Sequence, residues 1–156
     1  MQPLFWMYNI FLAAFSLGFF VWGKNKLIKS SAAFLLLCAL SGILMYFFPQ
    51  DPINITLTFK GLIHFFLAGM AAITTLLAVF LSAFGFGKMD GYKNLKVISV
   101  ILGLIIFISG PLTAIGPTKF PAYFGIAERI TIGAFILWLF LISLVLFIKS
   151  KKSLKK

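Results

Sequence analysis

The chain has 156 residues, of which 62% are hydrophobic and only 11% charged, with a mean hydropathy of +1.08 and a formal net charge of +11. So little polar surface cannot cover a water-soluble globule of this length, and the composition points to an integral membrane protein. The positive balance would suggest nucleic acid in a soluble protein, but here it falls in short segments beside apolar runs and reads as topology signals, so no nucleic-acid partner is expected.

Spanning the hydrocarbon as a helix takes roughly 20 apolar residues. Runs of that order recur at residues 5–21, 31–48, 61–84, 97–115 and 130–148. They are continuous rather than alternating, which favours helices over a closed barrel. The first run has no positively charged residues before it, and Lys24, Lys26 and Lys29 follow it, so it reads as a retained helix rather than a cleaved signal. The second contains the single cysteine, Cys38, which excludes an intramolecular disulfide. It stops at Phe48-Pro49-Gln50-Asp51-Pro52, where two prolines remove backbone donors. The third carries Gly61, Ala68, Gly69, Ala71, Ala72 and Ala78, small residues that allow close backbone approach and suit a central helix. Gly85-Phe86-Gly87-Lys88-Met89-Asp90-Gly91 then forms a glycine-punctuated turn. The fourth is expected to end near Ile115-Gly116-Pro117, and the fifth to run from Ile130 to a basic tail. The expected architecture is all-α: one polytopic transmembrane helical bundle over residues 1–148 and a basic cytoplasmic tail over residues 149–156.

Sorting the cations by loop orients the bundle. Lys24, Lys26, Lys29, Lys88, Lys93, Lys96, Lys149, Lys151, Lys152, Lys155 and Lys156 fall on one side, against Lys60, Lys119 and Arg129 on the other. The positive-inside rule places the rich side in the cytoplasm, so the N-terminus is expected outside and the C-terminus inside the cytoplasmic membrane of a prokaryote. The tail is expected to meet anionic lipids in addition to anchoring the last helix.

Residues 27–49 can be laid over 95–117 at a constant offset of 68, which matches Ser31 with Ser99, Ser41 with Ser109 and Pro49 with Pro117. Both segments run in the same direction, as a parallel repeat requires. In so biased a composition, coincidence outweighs duplication.

No Asp, Glu, Lys, Arg or His lies near the middle of a span, which weighs against an ion-coupled transporter or proton pump. Topology instead gathers four ionisable residues at the outer ends: Asp51 after the second span, His64 about one turn into the third, and Glu128 with Arg129 entering the fifth. Adjacent helical residues point about 100° apart, so Arg129 needs an acceptor other than Glu128, and Asp51 is the natural one. Glu128 is expected at a helix N-terminus, where the dipole favours a negative charge. The simplest role for this rim is an interhelical clamp. Two sharper readings stay open: a ligand or divalent-metal site built from Asp51, His64 and Glu128, and an acid/base set acting on a lipid headgroup.

Phe48-Pro49-Gln50-Asp51-Pro52, Gly61-Leu62-Ile63-His64, and Gly125-Ile126-Ala127-Glu128-Arg129 with the downstream Leu137-Trp138 resemble the prokaryotic membrane proteins grouped as domain of unknown function 998. That resemblance implies a Phe-Pro-x-Asp element, a His opening the next helix and a Gly-x-x-Glu-Arg element as shared features. It also implies six helices with both termini inside, against five spans here, so the chain is expected to be either a short member or one that lacks a leading helix. The family brings no established activity. The functional expectation is a non-enzymatic membrane protein that binds a lipid, a small ligand or a partner protein through its outer rim, with no cofactor required. A homo-oligomer or another membrane protein is its candidate partner. The alternatives are a metal-assisted or acid/base enzyme on a lipid headgroup, and a small transporter subunit.

Overall fold

The computed structural model describes residues 2–52, 56–119 and 123–153. Five helices follow one another: α1 (Gln2–Trp22), α2 (Lys26–Met45), α3 (Phe59–Gly87), α4 (Lys93–Lys119) and α5 (Phe124–Ser153). Each holds a stretch long and apolar enough to cross a bilayer, and no strand occurs among the described residues. The chain is a multi-pass membrane protein. Phe11, Val21, Phe66 and Ile108 are 66%, 85%, 65% and 66% exposed. Such side chains would be untenable in water at this density, and lipid is the solvent that accepts them. With 29 and 30 residues, α3 and α5 measure about 44 Å at the usual rise, longer than a hydrocarbon core of about 30 Å, so their ends reach the headgroup region.

Several helix ends depart from the sequence expectation. α2 begins at Lys26 because Asn25 caps it: its Oδ1 accepts from the Ile28 N–H at 3.0 Å, while its Nδ2 donates to the Gly85 carbonyl at 3.0 Å. At its other end α2 stops at Met45, and residues 46–48 continue as tight turns whose N–H groups reach back only three residues. α4 runs through Pro117 to Lys119 instead of ending near residue 115. Proline is tolerated in a helix that spans lipid, where leaving the helical path would strand further backbone groups. α5 continues through Lys149, Lys151 and Lys152, so the first part of the expected tail is helical.

Close packing divides the chain into two compact units, Met1–Gly85 and Phe86–Lys156. In the first, α1 packs along α2. The contact is close because residue 42 is glycine: a Cβ there would fall on the side-chain amide of Asn9, itself buried in α1 with its Nδ2 donating to the Phe5 carbonyl. α2 is joined to α3 by the Ser31 hydroxyl, which donates to the Ala78 carbonyl at 2.7 Å, and by the Cys38 thiol and Thr75 hydroxyl at 3.2 Å.

In the second unit α4 packs on α5. The buried Trp138 donates its indole N–H to Ser99 Oγ at 2.9 Å, and the Thr131 and Ser109 hydroxyls meet at 2.7 Å. The Lys149 ammonium donates to the Gly91 carbonyl and lies 3.7 Å from the ring centroid of Tyr92, whose phenol burial pushes above its ordinary range.

Most other hydroxyls within the spans return to their own helix. Ser16, Ser41, Thr74, Ser109 and Ser143 each donate to the carbonyl four residues earlier, which hides a polar group that lipid cannot solvate. The positions paired by the 68-residue offset play related parts. Ser31 and Ser99 are both fully buried and bonded across helices, and Ser41 and Ser109 are both back-bonded.

Candidate functional site

The α2–α3 corner is built on two orphaned groups, a carbonyl and a carboxylate. In a continuing helix the Phe48 carbonyl would accept from the N–H of residue 52, but residue 52 is proline and has none. A backbone acceptor at the edge of lipid must find a donor. It finds the His64 ring, whose Nδ1 lies 2.8 Å from the Phe48 oxygen. A carbonyl can only accept, so Nδ1 carries the proton. In the neutral ring Nε2 is then a lone-pair acceptor, and among the described residues it has no hydrogen-bond partner. His64 itself is half-buried.

Asp51 meets the start of α3. The Thr58 N–H donates to Asp51 Oδ2 at 2.7 Å and the Thr58 hydroxyl to Oδ1 at 2.8 Å. Thr58 in turn caps α3: its Oγ1 accepts from the Gly61 N–H at 3.2 Å and its carbonyl from the Leu62 N–H at 2.9 Å. The carboxylate therefore sits against the first turn of a long helix, where the dipole favours a negative charge by roughly 0.3–1 kcal/mol. Gly61 is the residue that admits it, since a Cβ at position 61 would overlap Asp51 Oδ2.

Glu128 and Arg129 belong to the second unit. Tyr123 opens α5, its carbonyl accepting from the N–H groups of Ile126 and Ala127, both at 3.1 Å. Glu128 thus lies beyond the first turn rather than at the helix start, and no acidic residue occupies that turn. The dipole benefit expected for Glu128 fades at this distance. Arg129 Nη1 donates to the Gly125 carbonyl at 3.2 Å, and both Glu128 and Arg129 are exposed. Asp51 and Arg129 each hold a partner close by in sequence, Thr58 for the first and Gly125 for the second.

Of the four residues singled out from sequence, Asp51 and His64 share the α2–α3 corner, which belongs to the first unit. Among the described residues no three His, Cys, Asp or Glu side chains stand together as a metal-binding group. Thr58 and the Phe48 carbonyl are the members that charge-based reading misses. Lys60 is also exposed here and stands four residues before His64 on α3, so the two share a helix face.

The model of one protein family, described as a protein of unknown function (DUF998), matches residues 1–145. No curated protein and no solved structure matches the chain.

Proposed function

The chain belongs to the DUF998 family of proteins of unknown function, and we propose that it is a non-enzymatic binding protein of a prokaryotic cytoplasmic membrane. In this reading it takes a lipid or small ligand, or a partner protein, at a polar rim on the extracytoplasmic side. The observation that carries the proposal is the His64 ring. Its Nδ1–H is committed to the Phe48 carbonyl, which fixes the orientation of the ring and presents Nε2 as an acceptor at the membrane surface. Asp51 supports this corner rather than adding chemistry to it, because both its oxygens receive hydrogen bonds from Thr58.

The same orientation of a histidine by a backbone carbonyl serves metal ligands and general bases, so a metal-assisted or acid/base enzyme acting on a lipid headgroup is the runner-up. It would require Asp51 to leave Thr58 or to share its remaining lone pairs. A transporter subunit is the weaker alternative, since no charged side chain lies in the middle of a span. At the opposite ends of the helices, anionic lipid is the proposed partner of the lysines around α5, apart from Lys149, which is held against Gly91 and Tyr92. A second copy or another membrane protein remains the proposed macromolecular partner.

Native mass spectrometry of the protein released from membrane nanodiscs tests the binding reading. A bound small molecule or lipid seen with the natural chain should be lost in His64→Ala, with the unfolding temperature checked in parallel. An unchanged set of adducts in a folded His64→Ala protein would remove the rim as the site.

A further inference from the structure

We infer that the ligand of this corner is a phospholipid carrying a free backbone hydroxyl below its phosphate, the chemistry of a lysophospholipid. The inference rests on the binding role proposed for His64 and names the ligand class. α3 begins at Phe59, so Lys60 lies at the helix start and His64 one turn deeper, about 6 Å along the axis. The face therefore offers a cation first and, beneath it, an acceptor: the Lys60 ammonium and then His64 Nε2, which in the neutral ring bears the lone pair because the proton sits on Nδ1 against the Phe48 carbonyl.

A complementary lipid must present the reverse order, an anion first and a hydrogen-bond donor beneath it. A diacyl phospholipid fails the second requirement. Below its phosphate lie two ester groups, which only accept, and an acceptor facing Nε2 leaves both lone pairs unmatched. When one acyl chain is absent, the freed glycerol hydroxyl is a donor one or two carbons below the phosphate. That hydroxyl reaches Nε2 while the phosphate stays with Lys60. The one acid of the first unit, Asp51, directs both oxygens to hydrogen bonds from Thr58, which tempers its repulsion of the phosphate. Exposed Phe65 and Phe66 beside His64 offer an apolar surface for the remaining chain.

The test uses defined probes. The purified full chain is offered equal amounts of lysophosphatidylglycerol and diacyl phosphatidylglycerol of matched acyl length, and retention is read by native mass spectrometry. An unpaired acceptor is expected to make retention of the lyso form roughly tenfold stronger. His64→Ala should abolish that preference. His64→Gln, which keeps an acceptor at the same reach, should restore part of it, and Lys60→Met should weaken retention of both lipids. Unfolding temperatures identify any variant that merely fails to fold, and His64→Gln with Lys60→Met keeps the test decisive if His64→Ala does. Equal retention of the two lipids that still depends on His64 would overturn the lysophospholipid assignment and leave the binding role of the rim standing. Retention of both lipids regardless of position 64 would overturn the assignment as well, and the natural adducts lost or kept in His64→Ala would then decide the broader role separately.

Discussion

Thr58 makes four hydrogen bonds within twelve residues of chain: it donates twice to Asp51 and accepts from Gly61 and Leu62. It carries no charge, and the usual signature of a capped helix start, an acidic or amide residue three positions later, is replaced here by Gly61. That explains why Asp51 and His64 were legible in the sequence while the residue connecting Asp51 to α3 was not. The Phe48 carbonyl was legible only indirectly, through the missing N–H of Pro52. Thr58→Ala should lower stability by about 1–2 kcal/mol, because it removes a cap and strands Asp51, whereas Thr58→Ser should cost little. Gly61→Ala should cost about 1–3 kcal/mol through overlap with the carboxylate. Most of that loss should disappear in an Asp51→Ala background, since the two changes act on one contact. Thermal unfolding in detergent of the single and double variants checks both expectations, and strict additivity of Gly61→Ala and Asp51→Ala would contradict the contact.

The five helices were legible because continuous apolar runs of membrane length leave little choice of structure, while their ends depended on local donors and acceptors that composition does not show. Asn25 extended α2 backwards by five residues from the expected start at Ser31, through a cap that also reaches Gly85. Pro117, read as a stop, is carried inside α4. Within the second unit the pairing of α4 with α5 turns on Trp138 and Ser99, both fully buried. Ser99→Ala leaves the indole N–H without an acceptor in a region that water does not reach. We expect a loss of about 1–2 kcal/mol, toward the upper end of what hydrogen bonds contribute between membrane helices. In a Trp138→Phe background, Ser99→Ala should cost much less, because no donor remains to be stranded. Equal losses in the two backgrounds, read by unfolding in the same detergent, would show that the bond contributes nothing.

At the scale of the whole molecule, eleven lysines fall around the α1–α2 and α3–α4 connections and after the fifth apolar run, apart in sequence from the lone histidine near the start of α3. Helix length and composition establish that the chain crosses a membrane several times. The direction of crossing decides what the α2–α3 corner meets, since His64 serves as an extracytoplasmic binding residue only if that corner lies outside. Accessibility of introduced cysteines, in a Cys38→Ala background in intact cells, tests this most directly. Gln50→Cys, in the corner itself, should react with a membrane-impermeant maleimide added from outside, and Asp90→Cys should react only after the membrane is opened. Labelling of Asp90→Cys in intact cells, with Gln50→Cys protected, would invert the protein and contradict the account.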